Sequence, residues 1–394
     1  MPSGVVGALG TNHLVSDAAA PTDDTRRRRP QRIVMLLDTL RAGGAERITV
    51  EVAAALDPKR HRPVVIATRE GGLLEDVLER AGVEYAILGR RHRFSPRWLN
   101  RAQRLLETAD LIHSHMLGSN LWGALFARTC RVPLVAVEPS FTGTRTRLRT
   151  YGYRWWIAPA ARRIICPSPV VAQSLYDEGV PRELVEVIPN GVRIDAALSR
   201  EAARAELGLD PEAFIVGIVA GLRKEKAHEV LFRAAARLRD EGRDLRVCVV
   251  GDGTQRASLA KTATTLGLDG MITWAGERSE AKRLPAAFDV GVICSDFEGL
   301  PVAALEMLAA GIPMVSTAVG TMPTLLSGGA GFTVPVRDDA ALADAIRRFM
   351  DDSELAARAG TRAREVIRGE YDFRRMVDAF ERVYDRVLAR DLHD

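Results

Sequence analysis

Lysine is scarce in this chain of 394 residues, and several familiar signatures are missing altogether. Only Lys59, Lys224, Lys226, Lys261 and Lys282 stand among 55 basic residues. The four cysteines, Cys130, Cys166, Cys248 and Cys294, form no C-x-x-C pair and no metal-ligand spacing. Each lies in or beside an apolar run, so they read as reduced, buried thiols of a cytoplasmic protein. No strand-like run is followed by G-x-G-x-x-G, which argues against a dinucleotide-dependent dehydrogenase; Gly251-Asp252-Gly253 has only the first two glycines. A Walker lysine motif is also missing. No basic start precedes the short Val5–Leu9 run, so no secretory signal is expected. The uncharged stretch Met307–Val336 contains Gly311, Pro313, Gly320, Pro323 and Pro335, which no single membrane-crossing helix would tolerate.

What is present is the composition of a globular protein, 47% hydrophobic and 27% charged. The length exceeds what one core usually organises, so two domains are expected. The net charge of +4 conceals an asymmetry. Residues 1–190 hold 27 basic against 19 acidic side chains, whereas the remainder holds 28 against 32. A basic first half suits an anionic membrane surface or an acidic acceptor. Nucleic acid would suit it too, but no nucleic-acid fold signature accompanies it, and none is expected as a partner.

Residues 1–30 read as a disordered polar tail. From Gln31 onward, short apolar runs such as Ile33–Leu37, Val64–Ala67, Leu111–His113 and Leu134–Val137 alternate with amphipathic stretches. The rhythm breaks at Pro189-Asn190-Gly191 and restarts with Phe214–Val219, Arg246–Val250, Met271–Trp274, Val290–Ser295, Met314–Ser316 and Gly331–Val334. This is the βαβ pattern of a doubly wound parallel sheet, written twice. The fold class is therefore α/β, with Rossmann-like domains over 31–195 and 196–372 facing a central cleft. Residues 373–394 form a helix expected to pack back on the first domain. Ligands of such folds bind beyond the carboxyl ends of the strands.

Two carboxylates in the second half stand out. Proline just inside a helix start and glycine just past its end bracket Pro301–Ala310 as a short helix. Glu298 falls just before its positive end and Glu306 well inside it. At roughly 1.5 Å per residue they lie about 12 Å apart along the axis, too far to share a proton or one small metal ion. They suit opposite ends of a long polar ligand, whose anionic middle would meet the N–H groups of Gly299 and Leu300. Glu306 is the one charged residue between Leu300 and Val336, so it reads as buried and in need of partners, which ligand hydroxyls could supply.

Other motifs fall at strand ends. Gly43-Gly44-Ala45-Glu46 opens a helix after the first strand, where glycines allow close backbone approach to a phosphate or a sugar. His113 and His115 point the same way at the end of a strand, with Ser114 opposite and no third metal ligand nearby. Arg223-Lys224-Glu225-Lys226 follows the first strand of the second half and can neutralise a diphosphate. Arg145, Arg147, Arg149, Arg154, Arg162 and Arg163 surround Tyr151, Tyr153, Trp155 and Trp156, a mixture suited to a membrane interface or a lipid-linked acceptor.

Taken in order, these motifs, with Ile188-Pro189-Asn190-Gly191-Val192, resemble the retaining glycosyltransferases of family 4, also called group 1, over roughly residues 31–390. The resemblance implies the GT-B fold and transfer of a sugar from a nucleotide diphosphate donor to a hydroxyl acceptor without cofactor or metal. A role in surface polysaccharide or glycolipid synthesis follows, in the cytoplasm or at its membrane. It implies catalytic-site roles for His115 and Glu298, the latter on the donor sugar. Donor binding would involve Gly43, Gly44, Gly299 and Leu300, with Arg223 and Lys226 on the diphosphate, Glu306 on the ribose and Trp274 beside the base. The donor expected first is a UDP-hexose or UDP-N-acetylhexosamine, then GDP-mannose. Three positions depart from the pattern: Gly221 where many members carry arginine, with Arg223 as its substitute; Thr324 where glutamate is common; and Arg193 where aspartate is frequent. A nucleotide-sugar epimerase or phosphorylase of the same fold and an inactive sugar-nucleotide binder are the alternatives. The spacing of the two glutamates argues against a glycosidase.

Overall fold

The computed structural model describes residues 29–390 except 42, 93–94, 141–145, 195–196 and 279. The expected tail (residues 1–28 of it), Arg145 and the last four residues lie outside the described residues.

Two all-parallel sheets account for the alternating sequence pattern. The first holds β1 (Gln31–Thr39), β2 (His61–Glu70), β3 (Glu84–Ile87), β4 (Leu111–His115), β5 (Leu134–Val137), β6 (Ala161–Cys166) and β7 (Val185–Val187). Its spatial order is β3-β2-β1-β4-β5-β6-β7. The second holds β8 (Ile215–Val219), β9 (Arg246–Val250), β10 (Ile272–Gly276), β11 (Val290–Ile293), β12 (Met314–Thr317) and β13 (Gly331–Val334). Its order is β10-β9-β8-β11-β12-β13. In both, the order reverses beside the first strand, which opens a crevice at the carboxyl ends of β1 and β4 and of β8 and β11. Helices cover both faces, so central strands are buried continuously: Ile33 to Leu37 are 0% exposed. The edge strand β3 was not anticipated: its apolar run Tyr85-Ala86-Ile87 is short and only half-buried.

The helix Phe373–Arg390 belongs to the first domain's core. Phe373, Met376, Val377, Phe380, Val383, Tyr384 and Val387 pack with Ile33, Met35, Leu111 and Val135. Tyr384 Oη lies 2.6 Å from His113 Nδ1, and Glu381 accepts a 2.7 Å hydrogen bond from the Asp57 amide. The chain thus crosses between domains twice, and the crossings touch. Val192 bridges Asp372, and a side chain at Gly191 would meet Asp372 O at 2.6 Å.

Cys166, Cys248 and Cys294 are buried, and burial pushes each thiol up to about 12. Cys130 differs: it ends the helix Met116–Cys130 and is half-buried. No described helix is long and apolar enough to cross a membrane.

Candidate functional site

The helix bracketed in the sequence runs over Val302–Ala310, with extended Pro301 before it and Gly311 after it at φ 79°. Proline at the cap fixes the entry angle, and glycine takes the left-handed exit. Eight buried or half-buried apolar residues of nine make this helix part of the second core.

Glu298 sits in the loop feeding its positive end. Lys226 Nζ and Ser295 Oγ both donate to Glu298 Oε1 at 2.6 Å. Lys226 closes a single 3-10 turn, Lys224–Lys226, directly beyond β8, and Ala227 then takes φ 48°. That left-handed residue is uncommon for alanine and turns the chain into the helix His228–Asp240. Three further bonds fix the Glu298 loop. Asn190 Nδ2 donates to Leu300 O at 3.1 Å, and Thr321 donates to Gly299 O from its amide (3.1 Å) and its hydroxyl (2.9 Å). A Cβ at Gly299 would lie 2.8 Å from Val171 Cγ2 and 3.3 Å from Pro139 O, so the first domain presses directly on this loop.

The Gly-Gly turn faces the same helix. Gly43 caps the helix Gly44–Ala55, and Gly44 lies 3.7 Å from Val302 across the cleft, measured from its ideal Cβ position. Glu46 folds back over Gly43; burial raises its carboxyl, and Arg223 on the opposite domain counters that rise. The Arg223 guanidinium covers Gly221, its Nε 3.5 Å from where a Cβ would stand there. It therefore reaches the space an arginine at 221 would fill.

His115, at the end of β4, places Nδ1 2.6 Å from Thr49 Oγ1 on the Gly44–Ala55 helix. Its Nε2 is buried and finds no partner among the described residues. Burial, with His113 beside it, holds its pKa well below the usual histidine range, so the ring is neutral. The two imidazoles stack at 6.0 Å and 16°, on the same side as alternation requires. His113 turns to Tyr384, whereas Ser114 points the other way to Asn120 Oδ1 at 2.6 Å. Among the described residues no three His, Cys, Asp or Glu side chains converge as metal ligands.

Two sequence expectations meet a different arrangement. Trp274 does not join the group. Its indole packs edge-on against Phe232 at 5.7 Å, with Arg256 stacked 3.8 Å above it, because β10 turns that side chain toward the helices. Glu306 is buried, at 7% exposure, and its Oε1 has a protein cation as partner. Arg47, 8% exposed on the Gly44–Ala55 helix, pairs with Glu306 Oε1 across the cleft. Burial raises the Glu306 carboxyl, opposed by Arg47. A second cross-domain pair lies one turn on, Lys282 Nζ to Glu51 Oε1 at 2.6 Å. Between them remains a cavity of about 10 Å³, room for one water at most. Sequence reading missed Arg47, Ser295 and Asn190. The signal for Arg47 was its place directly after Gly-Gly-Ala-Glu, on the helix that this turn opens.

The basic and aromatic segment is a surface. The helix Arg147–Tyr151 continues into a π-helical turn, Gly152–Ile157. Tyr153 and Ile157 face inward, while Leu148 (74%), Tyr151 (63%), Trp155 (62%) and Trp156 (40%) are exposed. Arg154 covers Trp155 at 4.9 Å and Arg128 covers Trp156 at 4.7 Å. Arg149, expected on this surface, is instead buried between Glu138 and Glu178, 2.6 Å from the latter.

Comparison with known proteins agrees with this layout. Residues 199–366 match the family described as Glycosyl transferases group 1, and residues 42–196 match Glycosyltransferase Family 4. The chain is 28% identical over 355 residues to the lipopolysaccharide core biosynthesis glycosyltransferase LpsD of Rhizobium meliloti, covering 88% of this chain and 96% of that one. It is 32% identical over 285 residues to the D-inositol 3-phosphate glycosyltransferase of Nocardia farcinica, covering 66% of this chain but 63% of that relative. The crystal structure of Anabaena HepE in complex with UDP and glucose superposes with a TM-score of 0.80 at 22% identity, covering 90% and 99% of the two chains. The fold is GT-B.

Proposed function

The chain belongs to the group 1 glycosyltransferases, and we propose that it moves a sugar from a nucleotide diphosphate donor to a hydroxyl acceptor with retention of anomeric configuration. The observation that carries this reading is the Lys226–Glu298 pair at the N-terminus of the Val302–Ala310 helix. A cation, an acceptor carboxylate and free helix-end N–H groups converge there, the chemistry needed to hold a diphosphate and the hydroxyls of the sugar attached to it. Lys226 and Arg223 would stabilise charge as the diphosphate departs, and Glu298 would orient the sugar. His115, neutral and with Nε2 free, would hydrogen-bond the sugar or the incoming hydroxyl.

The donor favoured is a UDP-hexose or UDP-N-acetylhexosamine, and the acceptor a glycan or lipid-linked hydroxyl of surface polysaccharide or glycolipid synthesis. Relatives named for lipopolysaccharide core biosynthesis support that acceptor class. The exposed Leu148, Tyr151, Trp155 and Trp156, set among arginines, would rest on an anionic membrane beside such an acceptor. No metal is assigned to the reaction in this reading, in which Lys226 and Arg223 would supply the positive charge facing the diphosphate.

Thermal-shift screening with nucleotide sugars tests the donor, because a ligand bound only by the native state raises the melting temperature. Product analysis with labelled donor then separates transfer, which needs an acceptor, from epimerisation. Proton NMR of the new linkage tests retention, and an inverted product removes that part of the reading.

A further inference from the structure

We propose that Arg337, which stands outside the Lys226–Glu298 pair, is a positioning residue for donor binding: it clasps the two chain segments that carry that pair and holds them in register. This rests on the reading of Lys226 and Glu298 as donor-holding groups.

Three observations carry it. The Arg337 guanidinium, in the turn after β13, bridges both segments at once. Its Nε donates to Asp296 Oδ1 at 2.5 Å and its Nη2 to Asp296 Oδ2, while Nη1 donates to Glu229 Oε1 at 2.6 Å. Asp296 stands two residues before Glu298, and Glu229 three residues after Lys226. Secondly, among the described residues no other side chain pairs with either carboxylate. The two segments already run side by side, since the Asp296 amide donates to Glu225 O at 2.8 Å. Without Arg337 two carboxylates would face each other there unneutralised, and their repulsion would act on the segments that hold Lys226 and Glu298 together. Thirdly, the turn is strained. Arg337 has φ 65°, a left-handed conformation uncommon for arginine. Four non-glycine residues of the described chain are left-handed, Met116, Arg131, Ala227 and Arg337, and the last two flank this junction. Strain of this kind persists only where the surroundings over-determine it, and a two-pronged grip on Asp296 with a third bond to Glu229 does so. Such a network is the setting in which part-exposed ion pairs matter.

The test measures the affinity of the full chain for UDP, GDP and ADP by calorimetry, beside the melting temperature. Wild type should bind one of the three, and Lys226→Ala should weaken that nucleotide by about tenfold or more, the scale of a hydrogen bond to a charged group. Arg337→Gly removes the clasp but relieves the backbone strain, so its melting temperature should stay close to that of wild type. It should nevertheless bind about fivefold more weakly, within the range for residues that act on a site without touching its ligand. Arg337→Lys keeps a cation and should restore part of the affinity; it serves if the glycine variant fails to fold. Arg337→Gly added to Lys226→Ala should cost little more than Lys226→Ala alone, because the arginine acts through the lysine, whereas a merely structural role would leave the two losses additive. Arg347→Gln, which breaks an exposed pair with Glu241 elsewhere in the same domain, should change nothing. Wild-type affinity in the Arg337 variants beside a weakened Lys226→Ala would overturn the proposal, and so would additive losses. Undiminished affinity in Lys226→Ala would instead remove the donor-site reading. If wild type binds none of the nucleotides, that reading fails first and this inference falls with it.

Discussion

Lys226 Nζ lies 2.6 Å from Glu298 Oε1, joining a turn after β8 to a loop 72 positions later in the chain. The pair is largely screened from solvent, with Lys226 at 19% and Glu298 at 10% side-chain exposure. An ion pair in such a place contributes little to stability by itself. Its value lies in placing a cation and an acceptor side by side at a helix N-terminus.

Glu298→Gln and Lys226→Ala should therefore each lower kcat by about 10²- to 10³-fold, the usual scale for removing one electrostatic stabiliser from a reaction centre. The melting temperature should change by only a few degrees. Full activity in both variants would remove the site assignment.

Gly299→Ala probes the contact between domains at the same loop. The new methyl would meet Val171 at 2.8 Å and the Pro139 carbonyl at 3.3 Å, so the loop or the first domain must shift. Steady-state kinetics should show a kcat/KM loss of about 10²-fold, as a misplacement near 1 Å brings. Wild-type kinetics would mean that the close approach is dispensable.

The exposed aromatic face predicts lipid binding. Sedimentation with vesicles containing anionic phosphatidylserine should carry the protein down, and neutral phosphatidylcholine vesicles should do so poorly. Trp155→Ala should weaken partitioning about tenfold, as expected for losing a large buried aromatic. Raised salt should weaken it further by screening the arginines. Equal partitioning to both vesicle types would contradict the anionic-surface reading.

Acid sensitivity follows from the buried histidines. Burial lowers His113 to about 3 and His228 to about 4, from 6.5. The unfolded chain binds protons near 6.5 that the native state refuses, so this contribution is complete above 6.5 and is lost as pH falls toward 3 or 4. Each group adds a slope of up to about 1.4 kcal/mol per pH unit within that window. Denaturant titrations at pH 7, 6 and 5 should show it, and His113→Gln should have a shallower slope if it still bonds Tyr384. An unchanged slope in that variant would assign acid loss to other groups.

Much of the fold was legible because its determinants are local. Strand runs such as Leu134–Val137, Arg246–Val250 and Gly331–Val334 were readable from apolar clustering alone, and Pro301 with Gly311 bracketed the Val302–Ala310 helix to within one residue. The half-buried edge strand β3 was not, since its apolar run, Tyr85-Ala86-Ile87, is short. The burial of Glu306 was also legible from its apolar surroundings. Arg149 was misplaced for the opposite reason: arginine among arginines reads as surface, and its two glutamate partners lie at Glu138 and Glu178, outside that segment.

The sequence by itself determined the two doubly wound sheets, the glycine turn, the cationic turn and the two glutamates, one before and one within a short helix. Those follow from periodicity, capping and backbone permissiveness, all of which act over a few residues. Only the tertiary structure decided that Glu306 meets Arg47, 259 positions earlier, and that Trp274 packs against Phe232. A charge on an apolar helix reveals nothing of its partner until the other domain arrives, because the loss of water that forces the pairing is imposed by that domain and not by the residues beside it.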